Sequence, residues 1–160
     1  MKANAVFSLM LYLGLFGCAS SVPETAEAST KPIVVKLKAS PYNAGEVARA
    51  NLMPDGGKTN LVLLFSGVPP DSGLPVHVYT YLYEGECGRL PKRPAHSLND
   101  RVLPDSVTSQ NRLGSRGPFR LSHSVPLALD ELMSGRFSLV LRSAPADGDR
   151  VIFCGALRAK

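Results

Sequence analysis

Short segments in which apolar and polar residues alternate run through most of this chain, and they restrict it to an all-β fold. In residues 76–83 one side carries Val76, Val78, Thr80 and Leu82, and the other carries His77, Tyr79, Tyr81 and Tyr83. A period of two is typical of a β-strand with one buried face. The motif Pro54-Asp55-Gly56-Gly57 is a strong turn signal between two such segments.

The pattern predicts seven or eight short strands in one domain. Besides 76–83, strands are expected at 33–39, 46–53, 60–66, 119–125, 136–142 and 150–157. The connection over 84–117 is rich in Gly, Pro, Ser and Arg and is expected to hold one or two short strands, around 95–98 and 101–103. One short helix is expected at 126–134, with Gly135 as its stop. We therefore predict an antiparallel Greek-key β-sandwich or barrel.

The first eighteen residues have the pattern of a secretory leader. Lys2 precedes an apolar run from Val6 to Phe16, which is too short to span a bilayer. The motif Leu15-Phe16-Gly17-Cys18 resembles the lipobox of bacterial lipoproteins. The resemblance implies a signal peptide at 1–17, cleavage before Cys18 and a diacylglycerol on its sulfur. The alternative is an ordinary secreted protein in which Cys18 is incidental.

The leader predicts where the chain resides. Residues 18–30 are small and polar, which is typical of a flexible tether between the lipid and a folded domain at 31–160. Ala19 differs from the Asp that resembles an inner-membrane retention signal. We expect an outer-membrane lipoprotein whose domain faces the periplasm rather than the cell exterior.

Three cysteines are present, and lipidation of Cys18 would leave Cys87 and Cys154 as a pair. In an oxidising compartment such a pair most simply forms a disulfide, which entropy models credit with roughly 4 kcal/mol for a long loop. A redox or metal-binding thiol pair is the alternative, although the chain has no Cys-x-x-Cys motif.

The formal charge is +5, and much of the positive charge lies between Arg89 and Arg120. These residues are typical of solvated loops, and a basic surface also attracts anionic lipid or polyanions. No nucleic-acid-binding motif accompanies them, so we expect no nucleic-acid partner.

Two segments resemble chordin-type domains, which are related in pattern to copper/zinc superoxide dismutases. The segment 81–87 (YLYEGEC) is similar to the family's His-x-His-Glu-Gly-x-Cys. The segment 129–142 (LDELMSGRFSLVLR) is similar to Leu-x-x-Leu-x-x-Gly-x-Tyr-x-x-x-x-His, and 152–157 (IFCGAL) is similar to the closing Ala-Cys-Gly-x-Ile. The resemblance implies a dismutase-like sandwich and a disulfide between Cys87 and Cys154.

The chain departs from this family at the metal ligands. The positions that match copper-binding histidines carry Tyr81, Tyr83 and Arg142. Phenols bind copper poorly unless they are deprotonated, and a guanidinium repels a metal cation. The resemblance therefore implies a domain without a metal site, and we expect no cofactor and no enzymatic activity.

The remaining candidates are binding surfaces. The row Tyr79, Tyr81 and Tyr83, preceded by His77, and the basic residues Arg89, Lys92 and Arg93 are our candidate surface for a protein or glycan partner. Buried tyrosines that only satisfy their hydroxyl groups are the alternative. A copper or zinc protein that uses His77, His96 and His123 is one competing hypothesis, and an adhesion or inhibitor lipoprotein at the cell surface is another.

Overall fold

Eight antiparallel strands and one short helix form the domain in the computed structural model, which describes residues 31–102 and 116–159. The strands are β1 (Ile33–Ala39), β2 (Ala48–Asp55), β3 (Lys58–Gly67), β4 (Val78–Glu84), β5 (His96–Ser97), β6 (Arg116–Val125), β7 (Ser134–Ser143) and β8 (Val151–Arg158). Helix α1 is Leu129–Leu132, and short 3-10 turns occupy Pro41–Asn43 and Pro145–Asp147. The all-β prediction is confirmed.

The eight strands form a sheet in the order β5-β4-β7-β8-β1-β2-β3-β6. Strands β1, β2 and β3 pair with their neighbours in sequence, whereas β3 pairs with β6 and β4 pairs with β7. These crossing connections are typical of Greek-key arrangements, in which a strand returns to pair with an earlier one. Every strand pair in the sheet is antiparallel, as predicted.

The sheet curls around one apolar core. The Phe65 ring on β3 stacks on Phe119 of β6 at 5.2 Å and lies 6.1 Å from Phe153 of β8. Alternate residues of every long strand join this cluster, including Leu52, Leu63, Leu82 and Leu139, each with essentially no exposed surface. Burial of one face of each strand therefore drives the curling.

Strand β1 has the predicted bounds, and other bounds differ from prediction. The β2–β3 hairpin continues past Met53 to Asp55 and resumes at Lys58, because Gly56 and Gly57 both adopt positive φ. A two-residue turn of that kind keeps the flanking strands in register up to the turn itself. Likewise β6 begins at Arg116, three residues before its predicted start.

Helix α1 is shorter than predicted, and the short strand expected near 101–103 is not seen at Arg101 and Val102, while Leu103 lies outside the described residues. Helix α1 is confined to four residues because β6 runs to Val125 and Ser134 already pairs with Arg158 of β8. Arg101 and Val102 are outside the strands, although the Val102 carbonyl accepts a hydrogen bond from the Val78 amide. The predicted leader 1–17, Cys18 and the tether 18–30 lie outside the described residues.

Candidate functional site

The connection from β4 to β5 is held against the outer side of the sheet. Cys87 lies at disulfide distance from Cys154 of β8, with a Cα–Cα distance of 5.9 Å. The Ser138 hydroxyl donates to the Gly85 carbonyl at 2.7 Å, and the Gly85 amide donates to the Arg136 carbonyl at 2.9 Å. The sulfur pair and these hydrogen bonds place residues 85–95, hereafter the disulfide loop, beside β7 and β8.

The disulfide loop accounts for burial on a face that points away from the core. Ser138 and Val140 alternate with the core residues Phe137, Leu139 and Leu141, yet both are fully buried. Ser138 hydrogen-bonds the start of the loop, and Val140 is the cross-strand partner of Cys154. The sheet is therefore covered on both sides around Ser138 and Val140.

The tyrosine row of β4 is divided by this cover. Tyr79 and Tyr81 are half-buried on the outer side of the sheet, whereas Tyr83 is only 5% exposed. The Tyr81 and Tyr83 rings lie 6.2 Å apart at 57°, which is a favourable tilted arrangement for aromatic pairs. Two of the three predicted surface tyrosines are thus partly accessible, whereas Tyr83, the cross-strand partner of Ser138, is buried.

The other predicted binding residues lie on either side of this row in sequence. Arg89, Lys92 and Arg93 are exposed on the disulfide loop, which leaves β4 at its end and returns beside it as β5. The Ala95 amide donates to the Leu82 carbonyl at 2.8 Å, so the loop closes back on β4. His77 is half-buried just before β4. The topology therefore gathers the predicted residues on one half of the domain.

The three positions that match metal ligands in the chordin-type pattern lie on adjacent strands. Tyr81 and Tyr83 are on β4, and Arg142 on β7 is the cross-strand partner of Tyr79. The Arg142 Nε donates to Asp149 Oδ1 at 2.7 Å, and its terminal nitrogen donates to the Asp149 carbonyl. Although burial lowers the pKa of Arg142, its contacts with Asp149 and Tyr83 raise it overall. The guanidinium therefore stays charged, and it lies beside Asp149 and Tyr83 at these matched positions.

The three histidines have different surroundings. His96 on β5 packs near the Phe137 ring at 6.5 Å, and His123 is buried on the core side of β6. His77 precedes β4, at a position between the buried Val76 and Val78. Within residues 31–102 and 116–159, no group of three or more His, Cys, Asp or Glu side chains has an arrangement that could hold a metal ion.

Among the described residues, His123 is the ionisable side chain on the core side of the sheet whose pKa is shifted by its surroundings. Its Nδ1 lies 3.2 Å from Asp100 Oδ1, while its Nε2 is buried without a hydrogen-bond partner among the described residues. Burial lowers the pKa of His123, and the nearby Asp100 carboxylate opposes that shift only in part. The neutral imidazole is therefore the favoured form in the folded protein.

Sequence reasoning missed a second surface, on the outer side of β1, β2, β3 and β6. Lys36, Arg49, Leu64 and Arg120 are successive cross-strand partners and form one row across these four strands. Beside the row is an open groove of about 560 Å³ whose lining includes Val34, Val47 and Pro118. We call this surface the basic face. The sequence feature that could have indicated this surface is the row Val34, Lys36 and Lys38 on one face of β1. That row identifies a surface only when the partner strands are known.

Comparison with known proteins gives no match among protein-family models, curated proteins or solved structures. No helix in the described part of the chain is long and apolar enough to cross a membrane.

Proposed function

We propose that this chain is a bacterial envelope lipoprotein, anchored in the outer membrane through a lipid on Cys18, with a non-catalytic binding or structural role. The observation that carries this proposal is the leader, in which Leu15-Phe16-Gly17-Cys18 ends a short apolar run. Ala19 after the lipidated cysteine favours the outer membrane, with the domain on the periplasmic side.

The cysteine pairing supports the proposed compartment and anchor. Cys87 and Cys154 lie at disulfide distance, and such bonds persist in oxidising spaces such as the periplasm. Of the three cysteines in the chain, Cys18 is then the one left over. A leftover cysteine directly after a lipobox-like motif has an evident use as the attachment point.

A domain of superoxide-dismutase or chordin type, without the metal site, is the second part of the proposal. Its support is the all-β fold together with a cysteine that follows β4 and pairs with the last strand. Tyr81, Tyr83 and Arg142 stand where imidazoles would be needed, and Arg142 is engaged with Asp149. These side chains favour a binding role over dismutation.

The binding surface that we propose consists of Tyr79 and Tyr81 with the exposed cations of the disulfide loop. Tyrosines with one accessible edge supply large contact area at low entropic cost, and arginine adds charged hydrogen bonds. A protein or glycan with acidic groups is the partner chemistry that fits such a surface.

Lipidation is tested by growing cells that produce the full chain with an alkyne-bearing palmitate and reading its incorporation by mass spectrometry. We expect label on Cys18 and none in Cys18→Ser, while Cys87 and Cys154 stay oxidised in both. A mature chain that starts elsewhere, or that carries no fatty acid, contradicts the anchor.

The binding surface is tested by crosslinking in intact cells and by a glycan array. We expect adducts that are lost in Tyr81→Ala and in the Arg89→Gln/Arg93→Gln variant, and retained in Tyr42→Ala, an exposed tyrosine elsewhere. Equal adducts in all variants would remove this surface from consideration. Stoichiometric copper or zinc that is lost on His→Ala substitution would favour the metal-binding alternative.

A further inference from the structure

The basic face has an unusual charge arrangement for a sheet surface. Lys36 and Arg49 are directly opposed cross-strand partners, and Arg120 lies two strands away in the same row, beyond Leu64. None of the three belongs to an ion pair among the described residues. Like charges that face each other across strands repel and destabilise a sheet. An external anion bound at this row would offset the repulsion.

Apolar side chains stand beside these cations. Val34 is 53% exposed and Val47 is 69% exposed, and both line the open groove next to Leu64. Glu46 is the acidic residue in the lining, and its carboxylate accepts a hydrogen bond from the Ser66 hydroxyl. Exposed apolar groups flanked by lysine and arginine are the composition of surfaces that lie at a membrane interface.

The proposed anchor lies close in sequence to the strand that contributes to this face. Cys18 is separated from Lys31 by residues 19–30, which span at most about 43 Å when fully extended. The chain then enters β1, which itself supplies Val34 and Lys36 to the basic face. A lipid on Cys18 would therefore keep this face within reach of the bilayer.

We propose that the basic face docks on an anionic lipid bilayer, with Lys36, Arg49 and Arg120 against lipid phosphates and Val34 and Val47 in the headgroup layer. This proposal rests on the lipid anchor proposed above. Docking leaves the opposite half of the domain, with the disulfide loop and Tyr81, turned toward the solvent and free to meet a partner.

Lysine footprinting on vesicles tests the docking. The full chain, processed by the cells that produce it, is reconstituted with phosphatidylcholine vesicles or with vesicles that also contain phosphatidylglycerol. A water-soluble amine reagent then labels exposed lysines, and mass spectrometry measures the rate at each one. We expect labelling of Lys36 to slow at least about fivefold on the anionic vesicles, since each cation near such a surface contributes roughly that factor.

Lys92 on the disulfide loop is the internal control, and its labelling rate should be the same on both vesicles. Arg49→Gln/Arg120→Gln should restore labelling of Lys36 on anionic vesicles, whereas Lys92→Gln/Arg93→Gln, with the same loss of charge, should not. High salt should restore it as well, because exposed charges are then screened.

Equal labelling of Lys36 on the two vesicles would overturn the docking, and so would equal slowing in the Arg49→Gln/Arg120→Gln variant. Slowing on neutral vesicles to the same degree would also overturn it, since a second copy or an uncharged contact would then cover the face. Failure of the anchor gives a different result: the chain does not sediment with phosphatidylcholine vesicles and Cys18 carries no lipid.

Discussion

The two halves of this sheet differ in what lies on their outer side. On β4, β7 and β8 the disulfide loop buries Ser138 and Val140, although both point away from the core. On β1, β2, β3 and β6 the equivalent side remains open, with Val34 and Arg49 exposed. A strand with one buried face tolerates polar substitutions on its exposed face, whereas a strand buried on both faces does not.

The two halves therefore differ in role: the cover stabilises one half of the sheet, and the other half leaves its outer side chains available for contact. The covered half gains packing and a disulfide link, and it leaves Tyr79 and Tyr81 of β4 half-buried beside the exposed cations of the loop. The open half keeps an apolar and cationic face that no described residue covers.

The largest effect is expected from a charge placed under the disulfide loop. Val140→Asp buries a carboxylate without a partner and should cost about 3–5 kcal/mol in the free energy of unfolding. Val34→Asp makes the same chemical change on the open half and should cost less than about 0.5 kcal/mol. Urea unfolding at neutral pH measures both, and similar costs in the two variants would mean that the loop does not exclude water.

Loss of the disulfide should come next in size. Cys87→Ser/Cys154→Ser is expected to lower the free energy of unfolding by about 2–4 kcal/mol, because the unfolded chain regains the freedom of a long loop. Trypsin should then cut after Arg89 or Lys92 well before the strands unfold. Reduction of the unsubstituted protein should reproduce both results, and unchanged cleavage would show that hydrogen bonds at Gly85 alone hold the loop.

His123 should make the stability of the domain depend on pH. Because burial lowers its pKa in the folded state, the unfolded chain binds this proton more readily below pH 6.5. Stability from this residue is therefore complete above that pH and falls as the pH drops, by no more than about 1.4 kcal/mol for each pH unit. His123→Leu should flatten this part of the profile measured by urea unfolding, and an identical slope in both proteins would contradict it.

The same contrast explains which features could be predicted from the sequence. Alternation in 76–83 indicates that Val78, Thr80 and Leu82 face inward, because the period of two depends only on neighbouring residues. Tyr83 continues the outer row of the same strand yet is buried, opposite Ser138 of β7, which is far away in sequence and hydrogen-bonds the disulfide loop. No local pattern carries that information.

Some features of the candidate site could likewise be predicted from the sequence, and others could not. Pairing of Cys87 with Cys154 followed from cysteine number and compartment, since only one pair remained. The row of Lys36, Arg49 and Arg120 can be recognised only when the register of four strands is known. Alternation of apolar and polar residues does not determine that register, which also depends on the turns. The partner of His123 was likewise not predictable, because Asp100 follows the distant β5.

The smallest change in the free energy of unfolding is expected on the open half, and there the substitution should stabilise the domain. Arg49→Glu replaces the like-charge pair with Lys36 by an opposite-charge pair and should stabilise the domain by about 0.5 kcal/mol. Added salt should shrink the difference between variant and parent, since the pair is exposed. Thermal unfolding at two ionic strengths measures this gain, and a loss of stability would mean that Arg49 has a structural role. A gain in stability together with lost protection of Lys36 on anionic vesicles would show that the basic face is kept for contact at a cost to folding.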